Sequence, residues 1–318
     1  MAIPTTLHFY SPTTDVEAID LLASSPTPFD SPTQRRLRTE LHLLDAFGTG
    51  RRRPEWVWAV RDDTDRQLGV LAALGADQPS DQAYVLDIFG LPDDPQVALS
   101  LTARATSAVL AAGAEEACIY APPGTTYDAP ALRLLADALT GAGWRLFVER
   151  RHYEFEPPAG LGDGPTTELS FTGVTDPGDP ALAACHREVM RETLDAHDAD
   201  RITRLGFEAA CEQSLADLLE ADPVECIHLA RNASGAVVGM VSGRVLPTGR
   251  AFVLFVGTTL EHRGHGYGRQ LLAWQTRRLL AERATVLIAD TDNANLPMAR
   301  AFAEVGWPQT ETRIDLRR

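Results

Sequence analysis

The chain of 318 residues reads as an α/β protein built from two copies of one domain, and three observations carry that reading. A Pro- and Gly-rich segment, Glu156 to Pro165, disfavours both helix and strand interiors and splits the sequence almost evenly. The halves on either side repeat one another in hydrophobic pattern, and a repeat of this length points to duplicated domains rather than a solenoid. An apolar run, a glycine-rich turn and an amphipathic stretch between Ala251 and Glu282 read as strand, turn and helix. The expected division is residues 1–156, a linker at 157–165, and residues 166–318.

The elements follow in order. Trp56 to Val60 and Leu68 to Leu74 are apolar runs around a polar turn and read as two strands, as do Glu225 to Ala230 and Ala236 to Val245. Tyr84 to Phe89 matches Phe252 to Gly257 as a third strand. The periodic stretch Leu99 to Ala112 is a helix like Gln270 to Glu282, and Ala117 to Tyr120 answers Thr285 to Ala289. Ala131 to Gly143 followed by Trp144 answers Met298 to Gly306 followed by Trp307; the two tryptophans stand 163 residues apart, and Gly69 and Gly239 stand 170 apart.

Hydrophobic content of 44% with 23% charged residues is that of a folded protein, and no apolar run is long enough to span a bilayer. Met1 to Asp20 lacks the basic flank and apolar core of a signal peptide, so a cytoplasmic location without membrane attachment is expected. A net charge of −15, acidic in both halves, argues against nucleic acid as partner and suits an amine. Every one of the 29 basic residues is Arg, which removes lysine Schiff-base chemistry. Cys118, Cys185, Cys211 and Cys226 lack metal-site or disulfide spacing, so buried thiols and no metal are expected. Cys185 and His186 are adjacent, and neighbours on a helix do not face each other.

The turn Arg263-Gly264-His265-Gly266-Tyr267-Gly268 carries the chemistry. Glycines at alternate positions let backbone approach a ligand where a helix begins, which is how a phosphate is held. It is neither a Gly-Lys-Ser/Thr loop nor a G-x-G-x-x-G fingerprint. Downstream, Asp290 to Asn295 follows a second apolar run, and Asn295 precedes Gly306-Trp307 by eleven residues.

The Arg-x-x-Gly-x-Gly of Arg263 to Gly268 resembles the pyrophosphate loop of the GNAT superfamily of N-acetyltransferases. The Asn295 to Gly306 spacing, with His262 to His265 and Asn295 to Met298, resembles the family's second signature. The resemblance implies a mixed, mostly antiparallel sheet flanked by helices in each half, with acetyl-CoA as co-substrate. It implies that strand four splays from strand five, that pantetheine contacts fall on Val256, Gly257 and Thr258, and that Arg263 to Gly268 hold the diphosphate. Asn295 would bond pantetheine or the adenosine phosphate, although Asn293 and Asn295 also suit loop and N-cap positions. In layout the chain is similar to mycothiol synthase and related two-domain acetyltransferases. The first half lacks the pattern: Leu91-Pro92-Asp93-Asp94-Pro95 brings carboxylates where a diphosphate would sit, and Thr125 to Asp128 replaces the Asn motif. Coenzyme binding is therefore expected in the second half only.

Acetyl transfer to an amine needs a held thioester, donors to its carbonyl, a neutral nucleophile and a proton for the thiolate. The implied activity is direct attack of a small amine on the thioester. Phe302 stands where many members carry a tyrosine acid. Among Asp290, Asp292, Glu261 and His262, Asp290 is the expected proton acceptor, through water. Cys226 suits a core thiol better than an acyl carrier. The acidic segment Glu188 to Asp200 reads either as a lid that attracts an amine or as a solvated helix face and connector. Two alternatives stay open, a noncatalytic acyl-CoA sensor or assembly module and acylation of a thiol-linked sugar amine.

Overall fold

A computed structural model describes residues 6–76, 81–157 and 168–318. The expected linker lies, beyond Pro157, outside the described residues. Elements up to Phe155 are β1 (His8–Tyr10), α1 (Asp15–Ala23), α2 (Pro32–Arg36), α3 (Glu40–Gly48), β2 (Val57–Arg61), β3 (Gln67–Gly75), β4 (Ala83–Gly90), α4 (Pro95–Ala111), β5 (Glu116–Ala121), α5 (Arg133–Gly141) and β6 (Arg145–Phe155). Then come β7 (Ser170–Gly173), α6 (Pro180–Met190), α7 (Ala196–Leu205), α8 (Phe207–Ala221), β8 (His228–Arg231) and β9 (Val237–Val245). The chain ends with β10 (Arg250–Thr258), α9 (Tyr267–Ala281), β11 (Val286–Asp292), α10 (Leu296–Val305) and β12 (Gln309–Arg317). Among the described residues no helix is long and apolar enough to cross a membrane.

Two compact units form, Met1–Glu149 with Glu311–Arg318, and Arg150–Thr310. In the first, strands run β1-β2-β3-β4-β5-β12, antiparallel except for a short parallel pairing of β4 with β5. In the second they run β6-β11-β10-β9-β8-β7, antiparallel except for β10 with β11. Each sheet is mixed and mostly antiparallel, as the sequence predicts. The unit bounds differ from the expected 1–156 and 166–318. Arg150–Phe155 of β6 covers β11, and Thr312–Arg317 of β12 covers β5, so each unit takes the strand that covers its fifth strand's edge from the other half of the chain.

The repeat is visible in single contacts. The Trp144 indole N–H donates to Thr106 of α4 at 2.7 Å, and the Trp307 indole N–H donates to Thr276 of α9 at 3.1 Å. Each unit thus pins the helix that follows its fourth strand with the same Trp–Thr bond. In the second unit α9 buries Leu271, Leu272, Gln275, Thr276 and Leu279, a helical stripe. Leu287 and Ala289 of β11 and Tyr153 and Phe155 of β6 join Leu272, Leu279, Phe302 and Trp307 in one core. Asp290 and Asp292 alternate with these residues and point to the opposite face.

Candidate active site

The site begins where β10 and β11 part. They pair in parallel only from Arg250–Phe252 to Val286–Ile288. One residue further on, β10 carries a bulge between Val253 and Phe255, which bends the strand and sharpens its twist. Beyond the bulge Phe255 to Thr258 keep their pairing to β9, and among the described residues no strand pairs with them on the β11 side. Leu254, the extra residue, is 45% exposed in mid-strand. The splay expected at Val256, Gly257 and Thr258 is present. A methyl group on Gly257 would overlap the Val189 side chain of α6 and the ring of Phe255, so helix packing also favours glycine there.

The turn into α9 follows. Gly264 and Gly266 have φ of +81° and +74°, the left-handed region that favours glycine, and open space surrounds both α-carbons. Gly266 is the N-cap of α9 and supplies no capping side chain, so the first-turn N–H groups of Tyr267, Gly268 and Arg269 have no side-chain acceptor. With the positive end of the helix dipole behind them, they form an anion-receptive cradle. The side chains of the turn are engaged locally. His265 Nδ1 lies 3.0 Å from the Arg263 carbonyl oxygen, and its ring stacks on Tyr267 with centroids 5.9 Å apart. His262 Nδ1 meets Thr259 Oγ1 at 2.8 Å. The Arg263 guanidinium donates to the main-chain carbonyls of Val189, Arg191 and Glu192.

Asn295 is the N-cap of α10, its Oδ1 accepting from the Met298 N–H at 3.2 Å. Phe302 is core. It stacks on Tyr153 of β6, with centroids 4.1 Å apart and planes 14° from parallel, and meets Trp307 edge-on. Sequence reasoning finds no tyrosine near position 302, yet β6 brings one against it from the other half of the chain.

The opposite face of the splay is polar. Asp290 accepts from His152 Nδ1 at 2.7 Å across the β11–β6 pair. Burial pushes the His152 pKa down, but its bonds to Asp290 and Glu154 and their charges outweigh that and raise it to about 9. Asp290, the expected proton acceptor, is thus one half of an ion pair with His152. Asp292 bonds Arg150 Nε at 2.7 Å and accepts from the Ala196 N–H at 2.6 Å, and Arg150 also pairs with Asp195. This docks the first turn of α7 on the end of β11. The acidic segment Glu188 to Asp200 is therefore the end of α6, a turn and the start of α7, with Glu192 at φ +48°.

One carboxylate in that segment was missed as an individual. Asp198 lies 3.4 Å from Ser214 of α8, which lies 3.3 Å from His186 Nε2 of α6, whose ring packs against Phe255 of β10. Burial, then the charge of Asp195, pushes the Asp198 pKa up to about 6 against the pull of Arg201 and Ser214. Burial holds His186 down at about 4 and pushes the Cys185 thiol up to about 12, so the adjacent pair offers no activated nucleophile. Glu261 is exposed and lies 3.6 Å from His262 Nδ1.

Residues 190–307, from the end of α6 through α10 to Trp307, match the family model described as Acetyltransferase (GNAT) family. That stretch of the chain is a GNAT acetyltransferase domain. Solved structures extend the likeness over the whole length. A GCN5-related N-acetyltransferase from Sphaerobacter thermophilus is 13% identical with a TM-score of 0.61, covering 98% of this chain and 95% of that one. A tandem GNAT protein from the clavulanic acid biosynthesis pathway is 17% identical with a TM-score of 0.53, covering 98% of both. At these identities the likeness is one of fold, and the fold is the tandem GNAT arrangement. No curated protein matches the chain.

Proposed function

We propose that the second unit binds acetyl-CoA and transfers its acetyl group to a small amine. The observation that carries this is the uncapped start of α9 at Gly266, open to solvent beside the β10–β11 splay. The backbone of Gly264 to Gly268 holds the diphosphate, Asn295 reaches the pantetheine or adenosine phosphate through its amide NH2 group, and the thioester carbonyl oxygen takes an N–H of Val256 to Thr258. The amine lone pair attacks the carbonyl carbon. The C–N bond forms, the C–S bond breaks, and its electron pair leaves on sulfur. Asp198, poised near neutral pH, takes the amine proton through water, while the ion-paired Asp290 steers the cation. The phenol of Tyr153, lying against Phe302, protonates the thiolate.

Calorimetry with acetyl-CoA and thiol release across aminoglycosides, amino sugars and polyamines test this reading. Binding together with amine-dependent release of coenzyme A is expected. Binding without release from any amine would instead support a noncatalytic acyl-CoA sensor, and absence of binding would remove the reading altogether. With a turned-over amine, Tyr153→Phe should lower kcat by about 10²-fold, the low end for loss of a general acid, while leaving acetyl-CoA affinity intact.

A further inference from the structure

Arg263 opens the phosphate loop, yet its side chain turns away from the cradle. Nη1 donates to the Glu192 carbonyl at 2.9 Å, and Nη2 donates to those of Val189 at 2.8 Å and Arg191 at 2.7 Å. These carbonyls belong to the last turn of α6 and the residues after it, which an α-helix leaves without internal partners and where its dipole is negative. The next residue needing support is Glu192 itself, at φ +48°, a conformation that a non-glycine side chain holds only when its surroundings fix it. The same turn carries Asp195, whose bond to Arg150 seats α7 on β11.

We propose that Arg263 is a positioning residue, a strut by which coenzyme seated in the phosphate loop fixes the α6–α7 turn on the acceptor side of the splay. The inference rests on acetyl-CoA binding at the second unit. Because the coupling is a free energy shared by two segments, it is reciprocal: a loop ordered by diphosphate holds the guanidinium still, and a fixed guanidinium holds the turn. Were Arg263 instead a phosphate ligand, it would have to abandon all three carbonyls and leave the strained turn unsupported.

Hydrogen exchange of the full chain, with acetyl-CoA as the probe, tests this. In the parent, saturating acetyl-CoA should slow exchange of the amides in residues 189–195. Arg263→Gln should speed exchange there on the order of tenfold without coenzyme, as expected for loss of charge-assisted bonds to a turn. It should keep acetyl-CoA affinity within about threefold and abolish the coenzyme-dependent slowing. Arg263→Lys, a point charge able to reach some of the carbonyls, should restore part of the slowing, and it carries the test should the Gln variant not fold. An affinity loss of about tenfold or more with an unchanged turn would make Arg263 a phosphate ligand and overturn the proposal. So would slowing that persists in Arg263→Gln. If the parent does not bind acetyl-CoA, the functional reading fails and takes the coupling with it. If the parent binds and only the turn fails to respond, the coupling alone is wrong.

Discussion

The starts of α4 and α9 occupy equivalent places in the two units, and their chemistry is opposite. Each follows a bulged fourth strand whose parallel pairing has just ended: Val85–Leu86 before the bulge at Asp87, and Arg250–Phe252 before the bulge at Leu254. At α9 the N-cap is glycine and the first-turn N–H groups are open. At α4 the first helical residue is Pro95, which has no N–H, and Asp94 takes the next two, from Gln96 at 2.8 Å and Val97 at 3.1 Å. The strands differ likewise. Leu254 stands exposed at its bulge, whereas Asp87 is buried and held bidentate by Arg52 at 3.0 and 2.6 Å. Beyond it, Gln34 donates to the Asp87 carbonyl and Arg38 to the Phe89 carbonyl. One backbone plan gives an anion cradle where side chains are withheld and a self-satisfied core where they are supplied.

The largest way to break this contrast is to open the plug. Asp87→Ala leaves the guanidinium of Arg52 buried without its partner, and removing one member of a buried pair costs about 3–5 kcal/mol. Urea unfolding should show that loss, while calorimetry shows acetyl-CoA affinity within about a factor of three of the parent. A comparable loss of affinity would mean that the first unit takes part in coenzyme binding.

The second unit has a buried pair of another kind, in which the cation is a histidine. A histidine raised to about 9 when folded, against 6.5 unfolded, contributes stability fully below pH 6.5 and loses it as pH rises through 9. Bonds to Asp290 and Glu154 should therefore supply about 3 kcal/mol at pH 6 that is gone by pH 10. Unfolding of the parent and of His152→Gln, measured across that range, should converge as pH rises. A difference independent of pH would show that folding leaves the His152 pKa unshifted.

Closing the open cradle should cost somewhat less. Gly266→Asp places a β-carbon at φ +74° and a carboxylate where the diphosphate is expected, so strain and repulsion act together. Losing the charge-assisted bonds costs about 1.5–3 kcal/mol, or roughly 10- to 150-fold in acetyl-CoA dissociation constant. A folded variant that binds within about threefold of the parent would reduce the turn to a strand-to-helix connection.

How much of this was legible depended on range. The turn at Gly264 to Gly268, the helix after it, the Asn295 cap and the order of strands all lie in contiguous stretches, where period and punctuation suffice. The strand exchange does not. Gln309 to Arg317 alternates as a strand should, but nothing local specifies that it pairs with β5. Tyr153 against Phe302 depends on that exchange, and Arg52 on Asp87 depends on a bulge that sequence does not mark. The partners of Arg263 are hidden for a related reason: they are carbonyls on a helix end far earlier in the chain. Asp198 stood within a run of acids and was distinguished from them only by what α6 and α8 place beside it.

The smallest expected effect is also the most discriminating for the comparison. Asp94→Gly removes the carboxylate from the first turn of α4 and gives it the N-cap residue that α9 has. Glycine is itself a tolerable N-cap, so the stability cost should be only a few tenths of a kcal/mol. The cradle nevertheless should not reappear. Pro95 still lacks an N–H, the preceding Leu91-Pro92-Asp93 has no glycine to bring backbone close, and Arg52, Arg38 and Gln34 still fill the region beside β4. Acetyl-CoA affinity and stoichiometry, one site per chain, should stay as in the parent. A second binding event in Asp94→Gly would show that a single carboxylate closes the first unit, and that the plug around Asp87 is incidental to it.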